Sequence, residues 1–129
     1  MELEINVGIC GKQEVVVDQN NTATALGSGD VPVFATPAMI ALMEKTANDS
    51  VKQYMPKNHV SVGIEINAQH IKATPIGGKV TCESFLSKVE GRKLVFNMTV
   101  YDGDGKVGEA THSRVVVDKD RFLGKIKND

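Results

Sequence analysis

Three side chains in this sequence are of types that move protons or stabilise developing negative charge: the carboxylate of Glu44, the imidazole of His70 and the hydroxyl of Thr36. Glu44 falls in a helix-patterned stretch. At about 100° per residue it lies at the border of the apolar stripe, near Ile40 and Val51 and away from Lys45 and Lys52. A carboxylate placed there is partly desolvated, a setting that suits general base work, although an ordinary helix-flank glutamate has the same spacing. His70 ends a strand-patterned run in which Val60, Val62, Ile64, Ile66 and Ala68 share its parity. Unbroken alternation puts the imidazole on the apolar face, towards the helix; the structural alternative is a histidine satisfied at the sheet edge.

Thr36 precedes Pro37, the pattern of an N-cap followed by proline at the first helical position. Capping alone accounts for it. The start of a buried helix also presents free backbone N–H groups that bind an oxyanion or a polarised carbonyl, so the two roles are compatible. Eight residues of straight helix separate Thr36 from Glu44 by about 12 Å, too far for a shared hydrogen bond. Either Thr36 folds back, or the site combines two subunits, or the residues act at different points of a substrate. His59, in a loop after Pro56, and His112, on a strand with no cleanly apolar face, read as surface or structural residues. The histidines show no metal-ligand spacing, and Gly27-Ser28-Gly29 is not a phosphate-binding loop of recognised form, so neither a metal nor a separate cofactor is expected.

The elements that must position these groups follow from periodicity. Two strands are expected near Glu2 to Val7 and Gln13 to Ala25, then a loop at Gly27-Ser28-Gly29-Asp30. A helix is predicted from Pro37 to Tyr54, with Met39, Ile40, Met43, Ala47, Val51 and Tyr54 on one stripe and Pro56 as its stop. Period-two patterning then gives strands near 60–72, 79–89, 92–102 and 106–117. Glycine-bearing turns at 74–78, 90–92 and 102–105 separate these four, and a charged tail from Asp118 has room for a final helical turn. One long helix followed by four antiparallel strands buries both apolar faces when the sheet curves around the helix. That α+β arrangement is the hotdog fold, here a single domain over residues 1–129. Its open strand edges predict a homodimer joined edge to edge, with a tetramer as the alternative.

Composition narrows the function classes. The formal charge is −1, from 15 basic and 16 acidic residues that are spread along the chain, so no nucleic-acid footprint is present. The charged start Met1-Glu2-Leu3-Glu4 and the absence of a long apolar run point to a cytoplasmic protein with no membrane partner. Cys10 and Cys82 lie in separate predicted strands and read as reduced thiols.

Taken together, Phe34-Ala35-Thr36-Pro37-Ala38-Met39-Ile40-Ala41-Leu42-Met43-Glu44, Ser61-Val62-Gly63 and His70-Ile71-Lys72-Ala73-Thr74-Pro75-Ile76-Gly77 resemble the fluoroacetyl-CoA thioesterase-like family of hotdog proteins. Val89-Glu90-Gly91-Arg92 and Gly108-Glu109-Ala110-Thr111-His112-Ser113-Arg114 extend the resemblance over nearly the whole chain. It implies a catalytic group of Thr36, Glu44 and His70, with Gly63 near the substrate carbonyl and Arg114 as a further substrate-binding residue. Glu44 would either activate water or attack the thioester directly, and His70 would orient the nucleophile or protonate the leaving thiolate. Coenzyme A enters as part of the substrate, its phosphates meeting lysines such as Lys72 or Lys79. Selectivity for fluoroacetyl groups in the family goes with an aromatic lid before the helix, whereas Leu26-Gly27-Ser28-Gly29-Asp30-Val31 has no aromatic residue. A generic short-chain acyl-CoA is therefore the expected substrate. The competing readings are a non-catalytic carrier of acyl-CoA or another small apolar ligand, and a hydratase, for which the paired Asp and His are missing.

Overall fold

The computed structural model describes residues 3–127. Strand β1 (Cys10–Val16) is followed by a one-turn helix α1 (Ala23–Leu26) and the long helix α2 (Thr36–Val51), which tightens into a 3-10 turn at Lys52–Tyr54. Strands β2 (His59–His70), β3 (Lys79–Glu90), β4 (Lys93–Asp102) and β5 (Gly105–Asp118) complete the sheet, and helix α3 (Lys119–Lys127) ends the described chain. All pairings are antiparallel in the order β1-β3-β4-β5-β2, so β1 and β2 are the edges. The expected helix-in-curled-sheet arrangement is thus the one formed.

The long helix packs because its inner stripe has nowhere else to go. Met39, Met43, Ala47 and Val51 are buried against Val80, Leu86, Leu94, Phe96 and Val100 of the sheet, with Phe34 closing the end near the helix start. The stripe is rotated slightly from the expected one. Leu42 and Thr46 are buried, whereas Tyr54 is exposed because the tighter 3-10 turn rotates it off the stripe. Thr46 is tolerated inside because its hydroxyl donates to the Leu42 carbonyl one turn earlier.

The amino-terminal expectations need correction. Glu2 lies outside the described residues, and the rest of the strand expected at Glu2 to Val7 is not a strand. Ile5 plugs the core from a loop, which gives its segment an alternating look without a ladder. The second expected strand starts earlier, at Cys10, and stops at Val16. Asp18 and Asn21 fold the chain back through side-chain bonds to the Asn20 and Asp18 amides, and the Thr22 hydroxyl then accepts from the Ala25 amide to cap α1. Asp18, Asn20 and Asn21 were the visible signal for that break.

The depth at which α2 sits is set at Gly11 of β1. A Cβ there would meet Ser50 Cβ and Ser84 Oγ at 2.7 Å and the Thr46 carbonyl oxygen at 2.9 Å. Backbone therefore approaches helix directly. Gly11→Ala is expected to push α2 outward and to cost about 1–3 kcal/mol, the usual range for overpacking. Thermal denaturation measures it, and an unchanged Tm would contradict this account of the helix seat.

Candidate active site

The start of α2 differs from its expected form in a way that frees a functional group. Ala35 is the N-cap, Thr36 is the first helical residue, and no side chain caps this end. The Thr36 hydroxyl is turned instead to His70, with Oγ1 and Nδ1 sharing a hydrogen bond of 2.8 Å. Phe34 meets the imidazole edge-on, ring centres 6.3 Å apart. The other ring nitrogen, His70 Nε2, is buried and has no hydrogen-bond partner among the described residues. Burial pushes the imidazole below its ordinary value, against an opposing effect of the Lys72 backbone, so the ring is neutral near pH 7. A groove of about 380 Å³ runs past this pair, lined by Val31, Phe34, Thr36, His70 and Lys72 among others.

Glu44 does not join that pair. It stands two turns further along α2, half-exposed, with Oε2 at 3.7 Å from Arg114 Nη1. Gly63 forms the floor beneath it. A Cβ on Gly63 would lie 2.8 Å from Glu44 Oε2, 3.2 Å from His112 Cε1 and 3.4 Å from Arg114 Nη1. Glycine is needed there for the close approach of the carboxylate. The five residues singled out by sequence thus form two clusters in one chain, Thr36 with His70 and Glu44 with Gly63 and Arg114.

What aligns the second cluster is an irregularity in β2. Gly63 pairs with Arg114 and Glu65 with Ser113, so the register slips at Ile64. Before the slip Ser61 and Gly63 face the helix; after it Ile66, Ala68 and His70 do. The expectation of unbroken alternation fails at this bulge, and Ile64 is turned outward, 55% exposed. The outcome for His70 is the expected inward orientation, while Val60 and Val62 leave the inner face.

His112 was read as a surface or structural residue, and its burial corrects the first half of that reading. It is 1% exposed. Its Nδ1–H donates to the Glu65 carbonyl at 2.8 Å, and its Nε2 accepts from Arg114 Nη1 at 3.1 Å. Burial pushes the ring below its usual value; the Glu65 carbonyl opposes this, Arg114 adds to it and Glu44 opposes it. The signal in the sequence was the two-residue spacing of His112 and Arg114, which puts both on one face of β5.

Other candidates are occupied elsewhere. Lys72 donates to Asp102 at 2.6 Å, and the Thr74 hydroxyl donates to the same oxygen at 2.7 Å. Burial acts to raise the Asp102 carboxyl, but Lys72, Thr74 and the Asp104 amide outweigh it and hold the group at about 2. Lys79 pairs with Glu14 at 3.4 Å. Burial lifts the Cys82 thiol to about 11, so it stays protonated at neutral pH and is no nucleophile. Among the described residues no group of three or more His, Cys, Asp or Glu is placed to hold a metal ion, and no helix is long and apolar enough to cross a membrane. A wider depression of about 900 Å³ on the outer face of the sheet, bordered by Lys12, Phe85, Asn97 and Glu109, contains none of the two clusters.

The depressed values of His70 and His112 fix a sign for stability. The unfolded chain takes up protons first as the pH falls through about 6.5, so stability present above that value is lost progressively below it, down to the folded-state values. Tm is expected to drop between about pH 7.5 and about pH 5, with a shallower slope in His70→Asn. A Tm that rises over this interval would show that the imidazoles are not buried neutral.

The surroundings of these clusters match known proteins. A family model for fluoroacetyl-CoA-specific thioesterase matches residues 17–120. The fluoroacetyl-CoA thioesterase of Streptantibioticus cattleyicolor is 36% identical over 95 residues, covering 74% of this chain and 68% of that one. The crystal structure of a point mutant of the fluoroacetyl-CoA-specific thioesterase FlK superposes with a TM-score of 0.90 at 30% identity, covering 98% of each chain. A hot-dog-like protein from Thermanaerovibrio acidaminovorans gives a TM-score of 0.88 at 25% identity, covering 95% of this chain and 90% of that one. By fold and by sequence together, the chain belongs to the fluoroacetyl-CoA-specific thioesterase family, a group of thioester hydrolases.

Proposed function

We propose that this protein hydrolyses short-chain acyl-CoA thioesters to the free acid and coenzyme A, that Thr36, Glu44 and His70 carry the reaction, and that fluoroacetyl-CoA is not a favoured substrate. The observation that carries the residue assignment is the Thr36–His70 hydrogen bond on the wall of the groove, which leaves a buried imidazole nitrogen with no partner among the described residues. A buried polar atom without a partner is costly in a finished core and economical in a site that a substrate completes.

The thioester carbonyl is polarised by backbone N–H groups, at Gly63 or at the uncapped start of α2. Glu44 takes a proton from the water whose oxygen adds to the carbonyl carbon, or attacks that carbon itself to give a mixed anhydride that water then hydrolyses to the free acid and Glu44. The C–S bond breaks, and the thiolate leaves with a proton supplied through His70, which Thr36 holds in place. Arg114 keeps the Glu44 carboxylate turned to Gly63.

The separation of about 12 Å between Thr36 and Glu44 along α2 favours a homodimer in which one subunit's Thr36–His70 pair faces the partner's Glu44. Support comes from β2, a 12-residue edge strand that carries Gly63, His70 and the outward Ile64; a long unprotected edge of this kind suits pairing with a second copy. The two unpaired cysteines, Cys10 exposed and Cys82 buried, suit a cytoplasmic setting. Selectivity for a generic acyl group follows from the groove wall. Between Leu26 and Val31 there is no aromatic ring to close over the acyl chain, and both of these aliphatic residues are exposed.

Thiol release from acetyl-, propionyl-, butyryl-, phenylacetyl- and fluoroacetyl-CoA tests the reading. Turnover of the short unsubstituted acyl groups is expected, with fluoroacetyl-CoA no better than acetyl-CoA within about tenfold. Glu44→Gln and His70→Ala are expected to lower kcat by about a hundredfold or more. Full activity in either variant removes that residue from the reaction, and tight stoichiometric binding with no turnover of any substrate would make the protein a carrier. Thr36→Ser, which retains the hydroxyl, is expected to keep most of the activity that Thr36→Ala loses.

A further inference from the structure

Beneath Glu44 lies a string of polar groups that an apolar core has no use for. Asn48, one turn beyond Glu44 on α2, accepts from the Ser61 hydroxyl at 3.1 Å. Ser61 in turn receives Arg114 twice, Nε on its hydroxyl at 2.8 Å and Nη2 on its carbonyl at 3.0 Å. The third edge of the guanidinium, Nη1, is the one nearest Glu44, and it donates to His112 Nε2.

The chemistry of this last bond is restrictive. The Glu65 carbonyl can only accept, so the proton of the neutral ring is on Nδ1, and Nε2 carries the lone pair. His112 therefore bridges the β2 bulge to the guanidinium in a single tautomer. A guanidinium held at Nε and Nη2 alone retains freedom to tilt about Ser61; the acceptor at Nη1 removes it. The Glu44 side chain is 45% exposed and among the described residues has no hydrogen-bonded neighbour to fix its rotamer, so Arg114 is what orients it.

We infer that His112 is a positioning residue for the reaction: as the Nδ1–H tautomer it fixes the Nη1 edge of Arg114, which orients the Glu44 carboxylate over Gly63. The inference rests on Glu44 being the reacting carboxylate. Its effect belongs to kcat, since orientation matters at the attack and not in holding coenzyme A.

Two substitutions separate positioning from packing. In His112→Asn the amide nitrogen takes the place of Nδ1 and keeps the donor to Glu65, but no atom remains at the Nε2 position. In His112→Gln the longer amide returns an acceptor to Arg114. The Asn variant is expected to lose about 10- to 100-fold in kcat with KM changed by less than about threefold, and the Gln variant to stay within about fivefold of the parent. In an Arg114→Lys background His112→Asn is expected to add little further loss, because the geometry it protects is already gone. Equal losses in Asn and Gln, a loss confined to KM, or losses that multiply in the Arg114→Lys background would overturn the inference. Glu44→Gln is measured alongside: if it is fully active, the underlying assignment fails, whereas an inactive Glu44→Gln beside a fully active His112→Asn sinks the positioning role alone.

Discussion

Arg114 is 6% exposed between α2 and the sheet, and the buried charge of its guanidinium imposes conditions on everything that touches it. Its removal from water is tolerable only if its N–H donors are met and an opposite charge stands close. Ser61, His112 and Glu44 meet those conditions from three directions. Each of them is thereby assigned a place: Ser61 must face inward on β2, His112 must share a face of β5 with Arg114, and Glu44 must lean from the helix towards Gly63. The bulge at Ile64 is the backbone adjustment that lets Ser61 and Gly63 satisfy this while His70, further along the same strand, still points to the helix. A regular β2 with His70 inward would have turned Val60, Val62 and Ile64 to Arg114 and left the guanidinium without acceptors.

The other end of α2 works on a different principle. Most helices satisfy their first amides with a side-chain cap, at a benefit of about 1 kcal/mol. Here that benefit is forgone. Ala35 occupies the cap position and the Thr36 hydroxyl goes to His70, so the amides at the helix start stay available. A neutral, buried imidazole with one nitrogen held and the other unmet is suited to taking up or giving a proton only when something enters the groove. Phe34 packs edge-on against the same ring, its centre 6.3 Å away, and adds to the burial that keeps the imidazole neutral.

Much of the fold was legible because the relevant forces are local. Strands β3, β4 and β5 show period two up to their glycine turns, and the boundaries expected from pattern differ from those formed by one residue at most. The helix start was marked by Pro37 and its end by Pro56. What escaped depends on distant partners. The sequence from Val60 to His70 alternates without a flaw, so nothing local announces a bulge that only the buried Arg114, about fifty residues later, requires. Thr36 before Pro37 fits a cap as well as it fits a partner for His70, and the choice is made by a strand 34 residues away. His112 looked unremarkable for the same reason: its acceptor and its donor lie on β2 and on its own strand, and the face they create is polar inside a core. Glu44 and His70 were legible individually, through stripe and parity, but their separation into two clusters follows from helix rise and not from residue type.

That separation links packing to chemistry. A rigid α2 holds Thr36 and Glu44 at a fixed distance and angle, so neither can adjust to the other within a chain. The helix must then be placed accurately with respect to the sheet, because Thr36 has to reach His70 at one end of β2 while Glu44 reaches Gly63 and Arg114 nearer the other. The first contact is a hydrogen bond of 2.8 Å made by two side chains of few rotatable bonds, and the second is an ion pair of 3.7 Å over a residue that has no side chain to intervene. The seat at Gly11, where backbone touches helix without an intervening side chain, fixes the height of α2 on the far edge of the sheet. Gly63, on the near edge, leaves room for the end of the Glu44 side chain. Two glycines on opposite edge strands thus meet one helix in different ways, Gly11 at its backbone and Gly63 at the end of the Glu44 side chain, and both are places where an added Cβ would disturb how α2 faces the sheet.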